Sequence, residues 1–280
     1  MTHWQTTRFS IDLAVPRVMG IVNLTPDSFS DGGRHVGTAG ALAHCERLLK
    51  DGADILDIGG ESTRPGAQPV GLDDERARVL PVLREALELG VPISLDTYKP
   101  ALMREALDLG VDIVNDIKAL REPGAIEAAS AHPACGVCLM HMRGMEPKSM
   151  QEGEPRYDDV VAEVLDFLRA RVDAALAAGI AADRIAVDPG IGFGKRTEHN
   201  FALLARQGEL LSLGLPVLAG WSRKGSLGRI TGREGAGDRL VPSVAAALAA
   251  VQHGARIVRV HDVAETVDAL KVWKAAGLPA

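Results

Sequence analysis

The chain has 280 residues, a formal charge of −6 at pH 7, 46% apolar residues and only 4% aromatic residues. An acidic chain without a run of Lys and Arg argues against nucleic acid or a membrane surface as a partner. No apolar run reaches the roughly 18 residues that span a bilayer, and the first residues lack the apolar core of a secretory signal. We therefore expect a cytoplasmic protein whose partners are small molecules.

Short β-branched runs recur along the chain and predict strands. The predicted strands are Val18–Asn23, Asp54–Ile58, Pro92–Asp96, Asp112–Asn115, Gly136–His141, Arg184–Asp188, Pro216–Gly220 and Arg256–Val260. Segments between them have apolar residues at the 3.6-residue spacing of amphipathic helices. The predicted helices are Ala41–Lys50, Glu75–Leu89, Ala101–Leu109, Tyr157–Ala178, Phe201–Leu211, Val241–His253 and Val263–Ala275. The pattern is a repeated βα unit.

The two kinds of connection differ in length. Five predicted helices run through a glycine directly into the next strand, at Gly52, Gly90, Gly110, Gly214 and Gly254. Glycine permits the left-handed cap that ends a helix, so these turns are short. The long connections all follow strands: Leu24–Gly37, Gly59–Asp74, Met142–Pro155, Pro189–Glu198 and Trp221–Asp238.

Eight βα units with long strand-to-helix loops predict an α/β fold, a single (β/α)8 TIM barrel with its active site at the C-terminal ends of the strands. A doubly wound open sheet is the alternative. We assign residues 1–17 to a short N-terminal lead-in and residues 18–280 to one barrel domain.

Polar residues end the predicted strands, at Asn23, Asp57, Asp96, Asn115, His141, Asp188, Arg259 and His261. Turn formation explains one such residue but does not require eight of them around a barrel mouth. Arg259 and His261 are two residues apart on a strand, so they share a face and together suit an anion such as phosphate. The alternative is a structural Arg259 that pairs with one of the barrel carboxylates.

Other short motifs give weaker evidence for a particular function. Cys135 and Cys138 form a C-x-x-C without the second ligand pair of a zinc site, which favours buried, inert thiols. The Gly190–Thr197 run lacks the residues of a P-loop, and Gly220–Lys224 lacks the last glycine of a hydrolase nucleophile elbow. An aromatic residue in a Gly-rich loop, such as Phe193, packs either on a ligand ring or into the core.

Two long motifs and several shorter ones resemble the dihydropteroate synthases, a family of folate-pathway transferases. The matching segments are Asn23–Gly33, Gly59–Gly66, Asp96–Thr97, Asn115–Ile117, Leu139–Met142, Asp188–Lys195, Ser222–Lys224 and Arg259–Asp262. The resemblance extends from about Val18 to the end of the chain. It implies a barrel, usually a homodimer and a sulfonamide target, that joins 6-hydroxymethyl-7,8-dihydropterin diphosphate to 4-aminobenzoate and releases diphosphate in the presence of Mg²⁺.

The resemblance also implies roles for individual residues. The pterin would be bound, and catalysis supported, by Asp96, Asn115, Asp188 and Lys224, with Met140 and Phe193 lining its ring. The diphosphate would be held by Asn23, Arg259 and His261, with Asn23 also on Mg²⁺. The 4-aminobenzoate would meet Phe29, Thr63, Arg64, Pro65 and Ser222. An ionised Asp188 suits the pterin because the 2-amino and N3–H edge presents two adjacent donors.

The sequence departs from the family pattern at two places. Gly225 stands where many relatives carry a hydroxyl residue near the 4-aminobenzoate carboxylate, and the fifth loop, from His141 to Lys148, is one residue longer than usual. Two other functions share the pterin residues. A non-catalytic pterin-binding paralogue would have lost Arg64, Lys224 or the Arg259 and His261 pair, and a corrinoid-linked methyltransferase would not need the two long motifs.

Overall fold

The computed structural model of the protein describes residues 2–24, 34–62, 68–144 and 155–278. Within those ranges, eight parallel strands close into a barrel, and helices surround it. The predicted TIM barrel is therefore confirmed, and the open sheet is excluded because the last strand pairs with the first.

The described strands lie within two residues of the predicted ones. A hairpin of β1 (His3–Gln5) and β2 (Ser10–Asp12) precedes the barrel. The barrel strands are β3 (Arg17–Asn23), β4 (Ile55–Gly59), β5 (Ile93–Asp96), β6 (Ile113–Asp116), β7 (Gly136–Met140), β8 (Ile185–Asp188), β9 (Val217–Ala219) and β10 (Ala255–Val260). The sheet order β10-β3-β4-β5-β6-β7-β8-β9 follows the chain, as expected when each strand is joined to its neighbour through a helix.

The α-helices that the structure describes follow the predicted ones with two additions. They are α1 (Arg34–Lys50), α2 (Leu72–Ala86), α3 (Pro100–Leu109), α4 (Ala125–Ala131), α5 (Val160–Ala177), α6 (Thr197–Ala205), α7 (Gly225–Thr231), α8 (Leu240–Gln252) and α9 (Val263–Ala275). The sequence did not predict α4 or α7, because each has only seven residues and too few large apolar side chains to show a period.

Two predicted helices are divided. The one over Glu75–Leu89 contains most of α2 and a 3-10 helix over Leu87–Leu89. The segment predicted as one helix over Phe201–Leu211 contains the end of α6 and a 3-10 helix over Gln207–Leu213. Gln207 is buried there, and its side-chain amide donates to the carbonyl of Ala250 at 2.8 Å. This tertiary hydrogen bond, rather than the local apolar spacing, sets the geometry of the segment.

The short turns take the predicted form. Gly52 and Gly110, for example, have φ of 101° and 100°, the left-handed region that glycine enters most readily. These turns bring each helix directly back to the start of the next strand. The strand-to-helix loops therefore gather at the opposite end of the barrel.

The N-terminal end of the barrel is closed by the β1–β2 hairpin. Trp4 and Leu13 are buried there in one apolar cluster with the inward-facing barrel residues, among them Met19, Ile113 and Cys138. The Trp4 indole donates to the carbonyl of Arg184 at 2.9 Å, so the cluster is held by a hydrogen bond as well as by apolar contact. With this end filled, the C-terminal ends of the strands form the mouth that a ligand can reach.

The C-x-x-C cysteines lie within this framework. Cys138 belongs to the apolar cluster inside the barrel, and Cys135 directly precedes the first residue of β7. Both are buried free thiols, and burial raises the pKa of each. A buried thiol of raised pKa has little reactive thiolate, in agreement with the prediction of inert cysteines.

Candidate functional site

Two predicted site residues, Asp96 and Asn115, meet Asp57 at the mouth because their strands are neighbours. Asp96 at the end of β5 lies opposite Asn115 of β6, and Gly59 of β4 lies on the other side of Asp96. Asp57, two residues before Gly59, shares its face. Parallel pairing thus places two carboxylates and an amide at one edge of the mouth, although the residues are far apart in sequence.

A guanidinium joins the two carboxylates. Arg259 of β10 donates from Nε to Asp57 Oδ2 and from Nη2 to Asp96 Oδ2, each at 2.6 Å. Asp57 is fully buried, whereas Asp96 and Arg259 keep some solvent contact. The sequence left a structural Arg259, paired with one barrel carboxylate, as the alternative. The structure shows this pairing, and it involves two carboxylates.

The charges in this group do not balance. Two carboxylates face one guanidinium, and burial raises the pKa of Asp96 to about 7 against the opposing effect of Arg259. Burial disfavours the charged form of Arg259 as well, but Asp57 and Asp96 outweigh it and raise the pKa of the guanidinium. Arg259 is therefore a permanent cation, whereas Asp96 gains or loses a proton near neutral pH.

Asn115 completes this part of the mouth. Its side-chain amide lies 3.4 Å and 3.3 Å from the two carboxylate oxygens of Asp57. Those contacts use the Nδ2 donors, so the amide oxygen is the remaining acceptor of the Asn115 side chain. Asp57 thus orients both Asn115 and Arg259, a role that the sequence did not assign, although Asp57 was among the polar strand ends.

Asp188 supplies a third carboxylate at the end of β8. Its Oδ1 accepts a hydrogen bond from the backbone N–H of Gly190 at 2.7 Å, which fixes the orientation of the carboxylate. Burial raises the pKa of Asp188, while the Gly190 N–H and the cations Lys224, Arg259 and Lys195 lower it. A buried acceptor held in this way suits a ligand with hydrogen-bond donors.

An apolar wall stands beside Asp188. Phe193, Met140, Met142 and Ile117 form a separate buried cluster, with Tyr98 packed against it. Lys224 Nζ lies 4.3 Å from the centre of the Phe193 ring, a cation–π distance. The structure therefore brings Phe193 and Met140 together as the sequence predicts. Lys224, another of the predicted pterin residues, lies beside the same wall.

The polar residues at the ends of β9 and β10 form a second group. Ser222 Oγ lies 3.0 Å from His261 Nδ1, and the backbone N–H of His261 donates to the same hydroxyl at 3.1 Å. The next residues pair as well, because Arg223 donates to the Asp262 carboxylate at 3.1 Å and 2.5 Å. Arg223 has a φ of 59°, an unusual conformation for a residue with a side chain.

The remaining predicted residues are described in part. Asn23 ends β3 opposite Gly59 of β4 and is half-buried at the mouth. The predicted 4-aminobenzoate residues Phe29, Thr63, Arg64 and Pro65 lie outside the described residues.

Taken together, the mouth holds hydrogen-bond acceptors beside an apolar wall and, on the β10 side, the cation Arg259 with His261 two residues later. Asp96, Asn115 and Asp188 would accept from the donor edge of a flat heterocycle, and Phe193 would pack on its face. Arg259 and His261 would meet an anionic group attached to that ring.

The chain is similar to known proteins in both sequence and structure. A family model described as pterin binding enzyme matches residues 19–261. The dihydropteroate synthase of Neisseria meningitidis serogroup B is 56% identical over 280 residues, covering 98% of each chain. The dihydropteroate synthase of Burkholderia cenocepacia, solved in complex with 7,8-dihydropteroate, is similar with a TM-score of 0.90 and 51% identity over 99% of this chain and 96% of that one.

A second solved structure is similar to the same extent. Xanthomonas albilineans dihydropteroate synthase with 4-aminobenzoic acid gives a TM-score of 0.90 at 52% identity, over 97% of this chain and 96% of that chain. Among the described helices, none is both long and apolar enough to cross a membrane.

Proposed function

The chain belongs to the pterin-binding enzymes and resembles the dihydropteroate synthases along nearly its whole length, and we propose that it works as follows. It transfers the pterinylmethyl group of 6-hydroxymethyl-7,8-dihydropterin diphosphate to 4-aminobenzoate, giving 7,8-dihydropteroate and diphosphate. The observation that carries the assignment of the site is the set of acceptors at the mouth, the buried Asn115 and Asp188 and the partly buried Asp96, together with the apolar wall beside Asp188.

The pterin would bind against that wall. Asp188 would accept from the 2-amino and N3–H donors, and Asp96 and Asn115 would meet the other polar atoms of the ring. Phe193 and Met140 would cover the ring, and Lys224, held over Phe193, would reach its carbonyl edge. Buried acceptors without a donor are costly, so this site would reject a ring that lacks the donor edge.

The reaction needs no nucleophilic side chain. The C–O bond between the pterin methylene and the diphosphate breaks, and its electron pair leaves with the diphosphate. The aniline nitrogen of 4-aminobenzoate forms the new C–N bond with its lone pair and then releases a proton to water. The protein would act by holding both substrates, by stabilising the leaving charge and by keeping water from the pterin cation.

The leaving diphosphate would be held by Asn23, Arg259 and His261. A guanidinium has five N–H donors, and Asp57 and Asp96 engage only Nε and Nη2 of Arg259. Arg259 therefore keeps donors for phosphate oxygens while the carboxylates fix its plane. This arrangement supports both interpretations of Arg259, as a partner of the carboxylates and as part of an anion site.

Mg²⁺ fits the donors present at this end of the mouth. Mg²⁺ prefers oxygen ligands and is usually held by one or two protein groups together with substrate phosphates and water. Asn23 offers an amide oxygen at the end of β3, and the diphosphate would supply the rest. When bound, the ion would neutralise charge on the leaving group.

The second substrate would lie on the outer side of the pterin. Ser222, which lies beside His261, would contact it, and Phe29, Thr63, Arg64 and Pro65 would complete the pocket. Because Gly225 offers no hydroxyl, backbone N–H groups or Ser226 would bind the carboxylate. A sulfonamide that resembles 4-aminobenzoate would compete for the same pocket.

We also propose that the protein is a cytoplasmic homodimer. The outer surface near α8 exposes apolar side chains, with Val241 70% and Ile230 58% exposed. Large exposed apolar residues that lie close together are typical of a surface that another chain covers. Sedimentation of the purified protein measures this, and a monomer at micromolar concentration would contradict it.

The decisive experiment is incubation with the dihydropterin diphosphate, 4-aminobenzoate and Mg²⁺, with dihydropteroate and diphosphate measured separately. Equal amounts of the two products are expected. Pterin binding without either product would instead indicate a non-catalytic paralogue. Methyl transfer from a methylated tetrahydropterin to a corrinoid protein, without condensation, would indicate the methyltransferase.

A further inference from the structure

One buried cation at the mouth has no part in the chemistry proposed above. Lys195 is 8% exposed. Its ammonium lies 2.8 Å from His141 Nδ1 and 2.8 Å from the carbonyl of Gly190. It also reaches the carbonyls of Phe193 at 3.2 Å and His141 at 3.5 Å. Among the described residues, none of its hydrogen-bond partners is a carboxylate. Burial lowers the pKa of Lys195 to about 7, and the nearby charge of Asp188 opposes that shift.

These acceptors belong to two different segments. Gly190 and Phe193 lie in the loop after β8, whereas His141 follows β7. The segments are in close contact, since a Cβ on Gly190 would lie 1.8 Å from the carbonyl oxygen of His141. Three carbonyl oxygens that converge in so small a space repel one another unless a cation lies between them. The Lys195 ammonium occupies that position.

His141 is fixed in the same group. Burial and the neighbouring Lys195 lower the pKa of His141 to about 2, so its ring is neutral and Nδ1 is free to accept from the ammonium. The other faces of the ring pack on Phe167 and Tyr157. His141 is therefore a rigid acceptor and not a proton carrier, and it anchors Lys195 to the end of β7.

The group connects directly to the predicted pterin residues. The Gly190 carbonyl accepts from Lys195, and the Gly190 N–H donates to Asp188 Oδ1 at 2.7 Å. The same carbonyl accepts from the backbone N–H of Phe193 at 3.1 Å. Gly190 thus contacts the carboxylate of Asp188 through its N–H and the backbone of Phe193 through its carbonyl, and Lys195 holds that carbonyl.

We propose that Lys195 is a positioning residue whose buried side-chain nitrogen donates hydrogen bonds to both segments and fixes the loop after β8 for pterin binding. It holds Asp188 and Phe193 in the geometry that the ring requires, without touching the ring itself. This inference rests on the proposed function, because it concerns affinity for a pterin. The predicted 4-aminobenzoate and diphosphate residues Ser222 and His261 follow other strands, β9 and β10, and are not among the hydrogen-bond partners given above for Lys195.

The test replaces Lys195 by Met, which keeps an unbranched side chain one atom shorter and removes the terminal nitrogen with its donors. We expect Lys195→Met to raise the Kd for 6-hydroxymethylpterin at least tenfold in calorimetry. The KM for the pterin diphosphate should rise in parallel. The KM for 4-aminobenzoate should change less than threefold, since a general loss of structure would weaken both substrates alike.

A matched control exists at the other end of the barrel. Arg184 is also a buried cation that donates to backbone carbonyls, to Cys135 at 2.7 Å and to His132 at 3.0 Å. Arg184→Met removes a comparable set of hydrogen bonds far from the mouth. We expect it to lower the melting temperature while leaving the Kd for 6-hydroxymethylpterin within twofold of the wild type.

The outcomes separate this inference from the proposed function. A wild-type protein that neither binds the pterin nor forms dihydropteroate contradicts the proposed function. A wild type that does both, with Lys195→Met binding the pterin within twofold of it, overturns the inference. If Lys195→Met does not fold, His141→Phe decides, because it keeps the ring packing and deletes only the acceptor. We expect it to raise the pterin Kd about threefold, and an unchanged Kd would overturn the inference.

Discussion

The ionisation of Asp96 depends on its surroundings, which include Arg259 and Asp57. Arg259 binds both carboxylates, yet one guanidinium does not neutralise two buried negative charges. Burial raises the pKa of Asp96 to about 7, so Asp96 takes up a proton near neutral pH and the excess negative charge is reduced. Perturbed carboxylates of this kind are common at functional sites, where the charge serves a ligand at some cost in stability.

The protonation of Asp96 makes a prediction about pH. The folded state holds this proton up to about pH 7, whereas the unfolded state releases it near 3.8, so the contribution of Asp96 to stability is lost as pH rises through that window. Asp96→Asn removes this loss. We expect the melting temperature of Asp96→Asn relative to wild type to be higher at pH 8 than at pH 5, by at least about 2 °C. A difference that does not change with pH would contradict the raised pKa.

A second prediction concerns Asp188. Asp188→Asn replaces a charged double acceptor by a group with one acceptor oxygen. A hydrogen bond to a charged group is worth roughly 1.5 to 3 kcal/mol, so the affinity for pterin should fall about tenfold or more. Calorimetry with 6-hydroxymethylpterin measures this, and an unchanged Kd would remove Asp188 from the pterin site.

Asp116 provides the matched control. It is a buried carboxylate on β6, next to Asn115, and it accepts from the backbone N–H groups of Lys118 at 2.7 Å and Leu120 at 2.8 Å. Asp116→Asn should therefore destabilise its loop but leave the pterin Kd within about twofold, since its oxygens already serve the backbone.

At the scale of the elements, the β1–β2 hairpin and the mouth have separate tasks. The hairpin fills the N-terminal end of the barrel with Trp4 and Leu13, whereas the ends of β4, β5, β6, β8 and β10 carry the site. A packed interior lies between them. Because the two ends use different residues, stability and ligand binding can be measured separately on the same chain.

Trp4→Ala tests this separation. Trp4 is fully buried and its indole donates to Arg184, so truncation leaves a cavity and an unpaired carbonyl. A buried Trp→Ala change costs about 3 to 5 kcal/mol, and we expect a loss of that size in urea unfolding. The pterin Kd of the folded variant should stay within twofold.

Trp273 on α9 serves as the reference for this change. It is only half-buried and packs at the margin of an outer apolar cluster. Trp273→Ala should therefore cost clearly less than Trp4→Ala. Equal losses would show that the hairpin does not close the barrel in the way that the apolar cluster indicates.

At the scale of the whole molecule, the two polar groups of the mouth share a connection through β10. Arg259 contacts Asp96 of the predicted pterin site. His261, two residues later, contacts Ser222 of the predicted 4-aminobenzoate site. A diphosphate bound by both would touch each substrate subsite. Binding at one subsite would then change affinity at the other, and reciprocally.

We therefore expect 4-aminobenzoate to bind poorly alone and more tightly with diphosphate and Mg²⁺, by a coupling of about 1 to 3 kcal/mol. The structure decides which variant tests this. Arg259→Ala would leave two buried carboxylates unpaired, whereas His261→Asn keeps a polar atom near Ser222 and removes only the outer ring nitrogen. His261→Asn should reduce the coupling. Equal affinity of the wild type with and without diphosphate would exclude it.

The sequence by itself determined the order of the elements and the edge of the barrel where the site lies. Both follow from local physics, because apolar period, glycine caps and strand-terminal polar residues are encoded within short segments. The limits of this local information show at α4 and α7, whose seven residues carry too little apolar pattern to predict a helix.

Only the tertiary structure decided which side chains share a hydrogen bond. Arg259 and Asp57 are 202 residues apart, and the sequence could not choose between an anion and a carboxylate as the partner of Arg259. Lys195 belongs to the Asp188–Lys195 motif, but the sequence predicted no role for it, since its acceptors include a carbonyl that follows another strand. The physical reason is that charge and hydrogen bonding depend on distances and burial, and barrel closure sets these between residues far apart in the chain.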